Sequence, residues 1–294
     1  MDTLTERGKI SMKKIKENCF GLFCVLLSAI IAILVHALLP SPGASLSVDA
    51  FDGILVQKFG FPIVASLYFI ILYLHILIVI RTVGAKATIP KRQMGIRFGL
   101  SFGCMYLVGM QEVVVSASPC DTYGIDFVLY QFFMGLGDAI PVLLLCILVC
   151  GFARIDIEDK KSKTPNKEQE NKIVFAVISL LFFIERVVGY YVGYIDNEFR
   201  EYPIPVLIWT LGFGMVMGGI YVLLSPIYED RKGNTKNIQL LVWSVGVNWV
   251  WFNCFMGLLL KGLFLKMFLR GGLDILVITI GCMVTRYFLR ERVK

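Results

Sequence analysis

Charge and histidine are scarce in this chain. Only 17% of its 294 residues are charged, and the histidines are two, His36 and His75. Soluble domains carry about 25% charged residues. No HExxH stretch occurs, which removes zincin chemistry. GxSxG, a Walker A loop and a GxGxxG fingerprint are missing as well. ATP drive, if the protein uses it, comes from a separate ATPase subunit. Seven of the eight cysteines lie in or beside apolar runs, and only Cys120 falls in a connection on the less basic side. Cysteines so placed act as small hydrophobes, so neither a disulfide framework nor a metal site is expected. No cofactor is expected either.

Apolar residues, in contrast, make up 57% of the chain. They gather in runs of about 20, enough for a helix to cross a hydrocarbon core of about 30 Å. Eight runs can be marked: Cys19–Leu39, Phe61–Ile80, Gly95–Ala117, Ile125–Gly151, Ile173–Ile195, Pro203–Leu224, Ile238–Leu260 and Gly272–Leu289. Helices are the expected form, because the membrane interior offers the backbone no water to bond. Barrel strands would alternate apolar and polar residues, and LLSAIIAILV does not. The expectation is an all-α membrane protein, a bundle of eight transmembrane helices.

Lys and Arg orient the bundle. Arg7 to Lys16, Arg81 to Arg97, Arg154 to Lys172, Arg231 to Lys236 and Arg286 to Lys294 all fall on one side. The other side holds Lys58, Arg200, Lys261, Lys266 and Arg270. Both termini are therefore predicted cytoplasmic, in a multi-pass protein of the cell (plasma or inner) membrane. Three of the misplaced charges cluster in KGLFLKMFLR before the eighth run. That stretch reads as an interfacial helix or as a sign that the eighth run is misplaced. The first run is too long for a cleaved signal and reads as a retained helix. The net charge of +7 follows from the cytoplasmic bias, and nucleic acid is not an expected partner. The lipid bilayer is one, and a partner membrane protein is another candidate.

One long hydrophilic segment, residues 153–172, reads as a cytoplasmic linker. It separates two four-helix transmembrane halves, 1–152 and 173–294. The halves share features. FPIVASLYF opens the second run and YPIPVLIWT the sixth, Gln111 and Asn253 occupy matching places, and GLGD and GGLD open the fourth and eighth. A four-span unit restores orientation, so a parallel 4+4 repeat is the candidate arrangement. In the long connection after the first run, Val48, Phe51, Leu55 and Phe59 share a helical stripe, which predicts a short interfacial helix.

A charge near the bilayer centre costs roughly 2.5–3.5 kcal/mol on insertion scales. Glu112, Asp138, Glu185 and Arg186 all lie within apolar runs. Gly189 and Gly193 follow Glu185 on its own face, a pattern that marks helix packing and turns Glu185 into the bundle. Arg186 is then available to pair with Glu112 or Asp138. One arginine neutralises one carboxylate, so the others must take a proton, pair elsewhere or meet water. Gly95, Gly99 and Gly103 form a second close-packing stripe. Gln131 and Asp138 share a face, and Pro141 beyond them removes a backbone hydrogen bond near the midplane. Trp249 and Asn253 share a face too, where aromatics with amides hold a sugar or a cationic headgroup or simply pack. The candidate substrate or proton pathway is thus Glu112, Asp138, Glu185 and Arg186, lined by Gln111, Gln131 and Asn253.

Gly135-Leu136-Gly137-Asp138 resembles the GxGD motif of the intramembrane aspartyl proteases, the presenilin and signal-peptide-peptidase group. The resemblance implies a catalytic acid at Asp138 paired with a second acid. Here the preceding span offers Glu112 in place of a Tyr-Asp pair, and no PAL-like motif follows. Asp274 could partner Asp138 only if GGLD faces GLGD. The reading taken forward is a small-solute or lipid-linked permease with no assigned catalytic residue. The intramembrane protease and a non-catalytic partner (an immunity, accessory or sensor subunit) are the alternatives.

Overall fold

A computed structural model describes residues 2–39, 51–84, 87, 89–116, 124–152, 168–195, 199–228 and 234–291. These residues form α1 (Asp2–Leu38), α2 (Ile54–Phe59), α3 (Phe61–Thr82), α4 (Lys91–Ser116), α5 (Gly124–Phe152), α6 (Glu168–Val192), α7 (Pro203–Tyr228), α8 (Asn234–Leu241), α9 (Val247–Leu259) and α10 (Phe264–Glu291). A π-helical turn, Val242–Gly246, joins α8 to α9 without a break. Among the described residues there is no strand.

Among the described residues, seven segments are long and apolar enough to cross a membrane: Ile15–Leu38, Phe61–Thr82, Val128–Phe152, Gln169–Val192, Pro203–Tyr228, Asn237–Leu259 and Phe264–Thr285. The protein is therefore a multi-pass membrane protein. The run expected as the third crossing is α4, a helix of 26 residues. It carries Lys91, Arg92, Arg97, Gln111 and Glu112, and it is not among the seven. The last helix corrects the expected start of the eighth run. It begins at Phe264, so Lys266 and Arg270 lie within a helix and not in a connection before it. Residues 168–172 of the expected linker belong to α6. The rest of the linker lies outside the described residues, as do Val48 and Cys120. The interfacial helix predicted after the first run is reduced to α2, whose Val56 packs on Val64 and Leu259.

The helices close a circuit in which each packs on the next: α1, α3, α9, α10, α6, α7, α4, α5 and back to α1. Close contacts explain two glycine sets. A Cβ at Gly99 would lie 2.6 Å from Leu143 Cδ1, and one at Gly103 would lie 3.2 Å from the Ala139 carbonyl, so α4 and α5 approach backbone to backbone. Gly214 and Gly218 of α7 face Ser179 and Phe175 of α6 in the same way. Small residues at such contacts let dispersion and packing hold helices together where lipid removes the hydrophobic drive. The interior is filled by Tyr73, Tyr106, Phe102, Phe213 and Trp249, all at most 2% exposed.

At one end of the bundle, Gly53 N–H donates to the Leu259 carbonyl and Asp52 accepts from Lys261 N–H. This α2 end also gathers the C-termini of α1, α4, α6 and α9. At the opposite end, Arg81 donates to the Glu17 carbonyl and Arg97 to the Leu223 carbonyl.

Candidate functional site

Arg186 sits in the last two turns of α6, towards the α2 end, and is fully buried. A guanidinium has five donors in a fixed plane and needs acceptors for them when shielded from water. Its Nε donates to Asp274 Oδ1 at 2.9 Å and its Nη2 to Asp274 Oδ2 at 2.6 Å. Such a two-point fork is the strongest arrangement open to arginine and carboxylate. Nη1 donates to Glu112 Oε1. Phe182 and Phe213, whose ring centroids are 4.8 Å apart, lie together against the group, 5.0 and 5.3 Å from its carbon. Three helices, α4, α6 and α10, thus meet on one side chain.

Two further groups extend the network. Arg270 Nη2 pairs with Glu112 Oε2, so Glu112 bridges two arginines. Glu185 Oε2 lies 3.6 Å from Arg186 Nε, a coulombic contact, while its Oε1 accepts from Tyr194 O–H. Trp249 Nε1 donates to Asp274 Oδ2 at 2.8 Å, which adds a neutral donor to the buried acid. Arg186 and Asp274 are shielded completely, whereas Glu112, Glu185 and Arg270 keep about a tenth of their side chains exposed. Among the described contacts three carboxylates face two guanidiniums, one more acid than arginine.

The fold around Glu185 corrects the reading of its glycines. Gly193 has φ of +79° and ends α6, and Gly193 and Tyr194 N–H both donate to the Gly189 carbonyl. A residue without Cβ is favoured in that left-handed turn. The missing side chain at Gly189 makes room for the returning Tyr194 and Ile195, 2.7 Å from where a Cβ would stand. The pair is therefore a helix stop that folds Tyr194 back onto Glu185, and not a face for another helix.

Asp138 stands apart from this network. It is 2% exposed and faces His36 of α1, whose Nε2 is 3.4 Å from its Oδ1. Gly137 permits the approach, since a Cβ there would lie 2.7 Å from Val35 Cγ1. Gly135 faces the other way, onto Leu107 and Gln111 of α4. The GLGD sequence thus wedges α5 between α1 and α4 and aims its acid at a histidine. Among the described contacts no second carboxylate reaches Asp138, and Asp274 is held by Arg186 and Trp249.

Gln111 Nε2 donates to the Gln131 carbonyl at 2.9 Å, which ties α4 to α5. Asn253 Nδ2 donates within its own helix to the Trp249 carbonyl. Trp249 and Trp251 are not an open platform: the first is buried, and the second stacks on Tyr68 with centroids 6.1 Å apart. Of the residues expected to form one pathway, Glu112, Glu185 and Arg186 come together, and Asp138 does not join them. Asp274 and Arg270 complete the network. The matching of GGLD with GLGD was the signal for the first, and the charge left over before the eighth run was the signal for the second. Among the described residues no three His, Cys, Asp or Glu side chains converge as a metal site would need.

The chain matches no protein-family model, no curated protein and no solved structure.

Proposed function

We propose that the protein is an eight-pass permease for a small solute or lipid-linked solute, with α4 as its additional crossing and both termini cytoplasmic. Its membrane is the cell (plasma or inner) membrane. The α2 end is then the outer face, and the Arg186 network closes that end. The observation that carries this reading is the meeting of five ionisable side chains from α4, α6 and α10 in apolar surroundings, with one acid in excess. A scaffold gains little from such a network, because well-packed apolar residues of equal volume hold helices as firmly or more so. Ion pairs differ from apolar packing in that water, a proton or a charged solute can exchange for them. Contacts of that kind suit an end that must open and close. The excess acid gives a cation or proton a place to enter.

A parallel 4+4 repeat strengthens the reading. Exchanging α1, α3, α4 and α5 for α6, α7, α9 and α10 leaves the packing circuit unchanged. Gly135 rests on Gln111 as Gly271 rests on Asn253. Tyr106 and Asn248, each five residues before those amides, bond to one another at 2.6 Å, as matched residues beside a twofold axis would. Many carriers are two similar bundles that rock about a central axis. In this arrangement Glu112 of the first half locks onto Arg186 and Arg270 of the second. The protease alternative draws no comparable support, since Asp138 meets a histidine where a second acid is needed.

Reconstitution tests the reading. Proteoliposomes loaded with a pH-sensitive dye are exposed to amino acids, sugars, nucleosides and organic cations in turn. We expect one class to drive a change of internal pH in the wild type, and Glu185→Gln to abolish it while the protein still elutes as a folded species. No response to any class, or a response unchanged in Glu185→Gln, defeats the proposal.

A further inference from the structure

The two halves place an aspartate at matched positions, Asp138 in α5 and Asp274 in α10, but give them different partners. Matching GLGD to GGLD superposes the buried faces of these helices, Val142, Cys146 and Val149 on Ile278, Cys282 and Thr285. The buried face of α1, Cys24, Ser28 and Ala32, superposes on Val174, Ile178 and Phe182 of α6. That register sets His36 against Arg186. Asp274 therefore has a permanent cation where Asp138 has an imidazole, whose second nitrogen can be bare or carry a hydrogen.

The hydrogen bonds of His36 decide its tautomer. Nδ1 lies 2.8 Å from the Ala32 carbonyl, and a carbonyl only accepts, so Nδ1 carries a hydrogen. In neutral imidazole the other nitrogen, Nε2, is then a bare lone pair. That lone pair points at Asp138 Oδ1, another acceptor, at 3.4 Å. Two acceptors repel. The contact becomes attractive only with one hydrogen between them, as imidazolium with carboxylate or as neutral imidazole with carboxylic acid. The remaining groups near Asp138 do not supply it. From α3, Tyr73 O–H points to the backbone carbonyl of Asp138 at 3.5 Å, and Tyr68 donates to the Phe252 carbonyl. From α4, Gln111 is bonded to Gln131 and Glu112 is bonded to arginines. Asp138 Oδ1 has no hydrogen-bond donor among the described residues.

We propose that Asp138 Oδ1 and His36 Nε2 form a binding site for a single proton, the exchangeable counterpart of the permanent Asp274–Arg186 pair. On the permease reading, this is where the coupling ion sits. His36 is the entry side of the site, because its side chain is 18% exposed against 3% for Asp138. The proton that binds leaves water and is shared between one nitrogen and one oxygen, and its release restores the unstable pair of acceptors. The Asp274–Arg186 pair has no such step, since arginine does not give up its proton in proteins.

With only two histidines in the chain, nitrogen-15 labelling of histidine followed by magnetic resonance reads the site directly. His75→Gln leaves one ring to observe. We expect His36 Nε2 to show a strong hydrogen bond that Asp138→Asn alters and Asp274→Asn does not. Should Asp138→Asn fail to fold, Asp138→Glu, which keeps the acid and moves it, must shift the same signal. A ring indifferent to both substitutions at position 138, or equally sensitive to Asp274→Asn, overturns the proposal. In proteoliposomes His36→Arg, which copies the second half, should leave a folded protein with proton movement reduced at least tenfold. Undiminished proton movement also overturns it. A coupled ring in a protein that transports none of the tested solutes would leave the proton site standing and defeat the permease alone.

Discussion

Two buried acids, Asp138 of α5 and Asp274 of α10, have opposite surroundings. Asp274 receives a two-point fork from Arg186, an indole N–H from Trp249 and complete shielding. Asp138 receives one histidine nitrogen at 3.4 Å. The first environment fixes charge and the second leaves it adjustable. Burial alone therefore does not say whether a membrane acid is scaffold or site. The number of its donors, and whether its cation can lose a proton, decide that.

The largest effect should come from breaking the permanent side. Arg186→Met removes the cation shared by three carboxylates and leaves Asp274 shielded with only Trp249 as donor. Removing one partner of a buried pair costs about 3–5 kcal/mol. Thermal unfolding in detergent should show that loss. His36→Gln should cost about 1 kcal/mol or less, since the pair is longer and part-exposed. Similar losses at both positions would erase the distinction between the two acids.

The repeat can be sharpened next. A Cβ at Gly135 would lie 3.1 Å from the Leu107 carbonyl, and one at Gly271 would lie 3.1 Å from Val250 Cα. Leucine at either place forces backbones apart, and overpacking of this kind costs about 1–3 kcal/mol. If the two glycines are counterparts, Gly135→Leu and Gly271→Leu should lower the unfolding temperature by similar amounts, and Gly212→Leu, with nothing within 4 Å, should leave it unchanged. A loss confined to one glycine would count against equivalence. The contact between the halves gives the third effect. Tyr106→Phe deprives buried Asn248 Oδ1 of its donor at a cost of about 1–2 kcal/mol. Asn248→Leu in the same background should recover part of it, and no recovery would assign the Asn248 amide to its bond with the Leu72 carbonyl instead.

How much of this was legible beforehand depends on what each feature rests on. The apolar runs located the helices, because lipid contact imposes composition over a whole turn-by-turn length. α10 begins before its apolar run, because Lys266 and Arg270 interrupt the apolar window, and only the fold shows that Arg270 has an acid to meet. Glu112 was one of two acids offered to Arg186, and the choice between Glu112 and Asp138 depended on which helices are neighbours. The two glycines after Glu185 have the spacing of a packing stripe, and spacing alone does not reveal a positive φ. The π-helical turn at Val242–Gly246 left no mark in composition. It sits just before Asn248 and Trp249, where one extra residue per turn resets the facing of the side chains that follow.

The last predicted effect concerns the helix stop that returns Tyr194 to Glu185. Gly193 has nothing within 4 Å of a Cβ, so Gly193→Ala meets no steric neighbour and pays only for its backbone angle. That strain is about 1 kcal/mol. It should loosen the return of Tyr194 onto Glu185, so the variant should unfold slightly earlier while the His36 ring signal stays as in the wild type. A change in that ring would mean that the two acid sites communicate through the bundle, and the contrast between a fixed and an exchangeable half would have to give way to a single coupled system.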